Sequence, residues 1–186
     1  ISYLRNSDLV LGIKFGDDIR AYPHAILDWH EIINDGIDEH KFAVTYCPLT
    51  GSGIAWNRQL EGKETTFGVS GLLYNTNLIP YDRATNSNWS QMRLQSVSGK
   101  MKGEFIETYQ LVETTWETWK KMYPASRVVT TSTGFNKPYG NFPYGDFRTN
   151  HDYLLFPVNN EDSRLERKVR VHGIISDGTA KAYSIN

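Results

Sequence analysis

Apolar and polar positions alternate in short runs along most of this chain, and only two stretches carry the three- and four-residue spacing of a helix. Asp8 to Phe15 reads D-L-V-L-G-I-K-F, Gly16-Asp17-Asp18 follows, and I-R-A-Y comes next, which predicts a strand, a tight polar turn and a second strand. Pro23 suits a first helical position, and Ile26, His30 and Ile33 follow at i, i+4 and i+7 before Asn34-Asp35-Gly36 stops the helix. That spacing puts His30 on the apolar face and leaves His24, Asp28 and Glu31 on a side read as solvated and charged.

From Lys41 the pattern turns to β-type runs, K-F-A-V-T-Y-C, G-I-A-W-N-R-Q-L and, after Glu61-Gly62-Lys63, T-T-F-G-V-S. A further strand is expected over Glu104 to Val112. The capping box Thr114-Thr115-Trp116-Glu117 then opens a short helix that ends before Pro124 and carries Trp116 and Trp119 into the core. The pentapeptides P-Y-G-N-F at Pro138 and P-Y-G-D-F at Pro143 read as a packed aromatic loop. The fold class is α+β, mainly antiparallel β-sheet in a meander or barrel-like arrangement with two short helices, in one domain spanning 1–186.

The two ends echo one another. L-G-I-K-F-G-D-D-I-R-A-Y from Leu11 matches H-G-I-I-S-D-G-T-A-K-A-Y from His172, so related hairpins over 1–22 and 168–186 bracket the domain. They either pair in one sheet or begin a second copy of the fold continuing past Asn186.

Composition narrows the function classes. With 186 residues, 39% apolar and 22% charged, and a net charge of -1, the chain is an ordinary folded protein with one core. Its 20 Lys and Arg are scattered among 21 Asp and Glu with no basic run longer than a pair, which argues against nucleic acid as a partner. No apolar run approaches the ~18 residues of a membrane-spanning helix. No nucleotide cofactor is expected. The chain opens at Ile1, so a processed upstream leader is compatible with it.

A single cysteine, Cys47, excludes an internal disulfide and any multi-cysteine zinc knuckle. It ends a predicted strand and precedes Pro48 and a turn rich in glycine, a corner suited to a nucleophile or a soft-metal ligand and equally open to a small buried hydrophobe. Paired with His30 it would make an activated thiol, oriented by Glu31, Asn34 or Asp35, with backbone N–H groups from Gly51 to Gly53 as an oxyanion hole. Alternatively Cys47, His30 and His24 would ligate copper or zinc, completed by Asp82 or His151. Ser70 does not complete the G-x-S-x-G pattern of a nucleophile elbow and is expected to support the site. Ser70, Asn75, Asp82 and Arg83 form the expected ligand-binding set. The cluster Asp82, Arg83, Thr85 and Gln91 beside Trp89 equally fits a loop fixed by an ion pair.

W-H-E-I-I-N-D at Trp29, T-Y-C-P-L-T-G-S-G at Thr45, F-G-V-S-G-L-L-Y-N at Phe67 and Y-D-R-A-T-N-S-N-W-S-Q at Tyr81 are the stretches where polar residues interrupt apolar runs. At these residues, from about Val10 to Val129, the chain resembles the bacterial and archaeal domain-of-unknown-function family 3179. Two departures stand out: Thr50 occupies a position where that family often has a second cysteine, and His24 one where it more often has an apolar residue. The resemblance implies a shared site and, because members often look exported, an extracytoplasmic setting, periplasmic or secreted; it supplies no reaction. Three functions are therefore expected in order: a copper- or zinc-binding or redox domain, a cysteine-nucleophile hydrolase or acyl transferase, and a non-catalytic module that binds a small molecule or assembles as a homo-oligomer through its hairpins.

Overall fold

A computed structural model describes residues 2–185. Strand β1 (Leu9–Phe15) turns through Gly16 and Asp17 into β2 (Asp18–Pro23), as the alternation predicts. Helix α1 (His24–His30) is shorter than the spacing suggested, because Ile32 and Ile33 belong to β3 (Ile32–Ile37), which pairs with β4 (His40–Cys47) from Ile32 opposite Thr45 to Ile37 opposite His40. β-Branched residues pack well on a pleated surface and lose rotamers in a helix, and a long antiparallel partner decides between the two. The reversal falls on Glu31, at φ 58°, whose carbonyl accepts from Tyr46 N.

β5 (Ser52–Asn57) completes this hairpin stack, followed by the small ribbon β6 (Gln59–Leu60) and β7 (Lys63–Glu64). Then come β8 (Phe67–Tyr74), β9 (Asn77–Asp82), β10 (Asn88–Ser90) and β11 (Gln95–Ser98) as a meander. The strand expected over 104–112 is displaced: β12 (Thr108–Tyr109) borders β5, and β13 (Val112–Thr115) borders β1. Helix α2 (Trp116–Met122) is capped by Thr115, whose hydroxyl accepts from Thr118 N, one position later than the expected box. β14 (Arg127–Val128) then runs parallel to β2. Irregular chain leads to β15 (Val171–Ser176) and β16 (Thr179–Ser184).

The strands form three open four-stranded sheets and two ribbons, and no barrel closes among the described residues. The sheet β12-β5-β4-β3 is the middle layer. Along β4, Phe42, Val44 and Tyr46 meet Leu11, Ile13, Tyr22 and Leu27, while Ala43 on the opposite face meets Trp56, Phe67 and Trp89. Successive residues alternate faces, so Cys47 shares the Ala43 face at the rim. A third cluster seats Trp116 and Trp119 on Val10 and Ala21. Gly12 is obligatory there: a Cβ would come within 2.1 Å of the Trp119 ring.

The terminal hairpins do not share a sheet; β15 and β16 stand as a separate ribbon. Their internal register nevertheless repeats the first hairpin residue for residue. Leu11 faces Tyr22 and Gly12 faces Ala21, as His172 faces Tyr183 and Gly173 faces Ala182.

Candidate functional site

The sequence motifs resolve mostly into framework. Asn34 acts as a side-chain bridge to β8, its amide donating to Phe67 O at 2.9 Å and its oxygen accepting from Phe67 N at 2.7 Å. Asp35 accepts from Arg20 at 2.6 Å, from Tyr22 Oη at 2.7 Å and from Gly36 N at 2.8 Å, and Arg20 and Tyr22 are among the hydrogen bonds that hold its carboxyl below the usual range against the opposing effect of burial. Asp82, fully buried, accepts from Thr85 N and Oγ1, Ser87 N and Trp89 Nε1, which locks the turn into β10. Arg83 donates to Thr66 Oγ1 and Phe67 O rather than to Asp82. Ser70 sits in the bulge between Val69 and Leu72, bonded to Ile79 O and accepting from Leu72 N. Gln91 joins Thr45 and Asn77 in a buried amide network.

The residues expected to meet at Cys47 are distributed. His30, half-buried, pairs with Tyr139 Oη at 2.5 Å and lies against Phe135, both from the aromatic loop. Burial and nearby Lys137 lower its pKa. The Cys47 thiol is 1% exposed and donates to Thr76 O at 3.6 Å. No hydrogen bond joins the two. Glu31 lies at the corner next to the β4 terminus, its carboxyl pushed up by burial. His151 accepts from Lys168 N at 3.3 Å and faces Glu166 at 3.6 Å. Gly53 lies opposite Tyr46 in the β4–β5 ladder, and a Cβ there would meet Leu11 at 2.4 Å, so it serves packing. Among the described residues no group of three or more His, Cys, Asp and Glu is placed to hold a metal ion.

What converges instead is the face of α1 expected to be solvated. His24 and Asp28 are 5% and 6% exposed. Arg148, from the loop after the second P-Y-G, bonds the Asp28 carboxylate and donates to Tyr46 Oη at 3.0 Å, and that hydroxyl lies 3.1 Å from His24 Nδ1. Arginine has no acceptor to offer, so Tyr46 accepts from it and passes its own proton toward Nδ1. The imidazole therefore carries its hydrogen on Nε2. Burial, with Arg170 and Arg148 adding to it, drives the His24 pKa down to about 3, so the ring is neutral. Burial pushes Asp28 up to about 6, with Arg148 pulling the other way. Burial also raises Tyr144, and Glu31, Cys47 and Asp28 reinforce it.

His24 and Arg148 form the wall between two cavities of about 410 Å³ each. One carries both signs of charge, Arg5 and Asp8 among its lining residues. The other is bounded by the corner after Cys47, Pro48 to Gly51, by Asn75 and Thr76, and by the C-terminal stretch that supplies Arg167, Lys168 and Arg170, with no Asp or Glu side chain in its lining. Arg170 ties this stretch down, donating to Gly51 O at 2.8 Å and pairing with Glu113 at 2.6 Å. Asn75 accepts from Asn159 N at 2.8 Å, and Thr76 donates to Phe156 O at 3.0 Å. Two buried donors of this cavity find no acceptor among the described residues: His24 Nε2, 3.9 Å from Glu113, and Lys168 Nζ, which lies over the Phe147 ring at 3.1 Å from its centroid. The sequence signal for these cations was the spacing R-x-x-R-K-x-R from Arg164 to Arg170, visible once no carboxylate interrupts it except Glu166.

A family model described as "Protein of unknown function (DUF3179)" matches residues 1–186, the whole chain, and the chain belongs to that family. No curated protein and no solved structure matches it.

Proposed function

We propose, with membership of this family as the premise, that the chain is a ligand-binding domain for a small anionic molecule held in the cavity between the Pro48–Gly51 corner and the C-terminal stretch. One observation carries this: two buried donors, His24 Nε2 and Lys168 Nζ, line the same cavity without an acceptor among the described residues. A buried donor left unmade costs about 1–3 kcal/mol, more for a charged group, so a ligand oxygen that accepts from both recovers that cost on binding. The lining adds Arg148, Arg167 and Arg170 and, among the described residues, no carboxylate. Burial and Arg167 lower the Lys168 pKa, the mark of a cation short of a counter-charge.

The same geometry ranks this above the two chemistries built on Cys47. The thiol is enclosed and bonded to a carbonyl, without an imidazole partner, and His24 has its Nδ1 engaged by a tyrosine. His24 acts in this proposal as a neutral hydrogen-bond donor, so the histidine that matters is the one on the buried side of α1.

Isothermal titration of the chain with acetate, phosphate and sulfate tests the proposal. Saturable binding of at least one anion, weakened tenfold or more in Lys168→Met and in His24→Phe with the fold intact by circular dichroism, is the expected result. Absence of saturable binding by any of the three sinks it, as does binding unchanged in both variants.

A further inference from the structure

We infer that the ligand is an amphipathic monoanion, a single carboxylate on a short aliphatic chain, with the head between His24 and Lys168 and the tail toward Val158. This rests on the anion-binding proposal and adds charge, shape and orientation to it.

Charge comes from counting partners. Three of the four cations lining the cavity already have carboxylates: Arg148 has Asp28, Arg170 has Glu113, and Arg167 has Glu161 at 3.3 Å. Lys168 has none among the described residues, and His24 is neutral. The unmatched charge of the lining is thus one positive charge, which a monoanion cancels. A dianion would leave a buried negative charge uncompensated, which is costly in a low-dielectric site. Two free donors also match the two oxygens of one carboxylate.

Shape and orientation come from the rest of the lining. The cavity is walled by Leu9, Leu49, Phe147, Leu154, Val158 and Val169, far more apolar surface than a bare inorganic ion requires. His24, Arg148 and Leu9 border the neighbouring cavity and so mark one end. Asn75 and Thr76 bind Phe156 and Asn159, which places Val158 at the β8–β9 turn. A volume of about 410 Å³ lies in the lower part of the range usual for small-molecule sites, roughly 300–1,000 Å³.

Titration of the full chain with acetate, butyrate, hexanoate, hexanol and hexyl phosphate at pH 8 decides it. Affinity rising about fourfold per methylene from acetate to hexanoate, the equivalent of ~0.8 kcal/mol per buried methylene, is expected. Hexanol should bind at least tenfold more weakly than hexanoate, and so should dianionic hexyl phosphate. A Val158→Asn variant, which adds polarity to the tail end without adding charge, should lose most of the chain-length gain from acetate to hexanoate. Equal affinity for acetate and hexanoate overturns the inference while leaving anion binding standing. Hexyl phosphate binding as tightly as hexanoate overturns the monoanion assignment in the same way. Failure of every anion removes both.

Discussion

At the scale of single residues, His24 and Asp28 show how one turn of helix can hold two titrating groups that work against each other. The folded-state pKa of His24 is depressed to about 3, so its contribution to stability is fully present above its ordinary value near 6.5 and is lost as pH falls from there toward 3. Asp28 is raised to about 6, so its contribution is present below about 4 and is lost as pH rises through 6. The histidine displacement is the larger and dominates between them. Urea midpoints for the protein and for His24→Gln at pH 7 and pH 4 check this: the stability advantage of the native residue should shrink by an amount on the order of 3 kcal/mol at the lower pH. An advantage constant with pH would mean that the imidazole is not buried as a neutral group. Of the residues singled out from sequence, His24 was named as a ligand but placed on the wrong side of α1, because the i, i+4, i+7 reckoning ran the helix on to Ile33. Ending the helix at His30 rotates the inward face to His24, Ile26, Leu27 and Asp28.

Among the elements, the two hairpins of matching register make a controlled comparison. In the first, Gly12 and Ala21 accept the Trp119 ring of α2; in the second, Gly173 has nothing within 4 Å of where a Cβ would lie. Gly12→Val drives a side chain into a buried indole between two paired strands, and overpacking of this kind costs about 1–3 kcal/mol or more. Gly173→Val meets open space in a conformation that a β-branched residue favours, and should fall within about 0.5 kcal/mol of the parent. Thermal unfolding of both variants reads this directly; equal losses would mean that α2 does not hold the first hairpin through that contact. The pattern of alternation was enough to find β1, β2, β4 and β5. It did not show that the first hairpin is covered by α2 while the second stands apart, because coverage depends on where distant segments of the chain return.

For the whole molecule, the site depends on the C-terminal stretch lying across the Pro48–Gly51 corner. Arg170 is the fastener, bonded both to Gly51 O and to Glu113 at the edge of the first sheet. It is partly exposed, so its ion pair contributes modestly to stability, typically under about 1 kcal/mol, while fixing where the stretch lies. Arg170→Ala should therefore leave the melting temperature within a few degrees and raise the rate of limited proteolysis between residues 150 and 170 several-fold. Unchanged cleavage would show that other contacts hold the stretch.

Alternation, capping and turn chemistry act over a few residues, so they suffice for β1, β2, β4 and β5 with their turns, for a capped second helix with its tryptophans, and hence for an antiparallel α+β domain. It also singled out the C-P-L corner, whose residues after the cysteine do bound the cavity. That Asn34, Asp35 and Asp82 serve the framework, that Cys47 is enclosed, and that His24, Arg148 and Lys168 line one cavity follow from tertiary contacts. Those three lie far apart along the chain, and no periodicity spans such separations. They come together because the middle sheet is covered on both faces, which leaves the buried side of α1 and the rim of β4 facing the returning C-terminal chain.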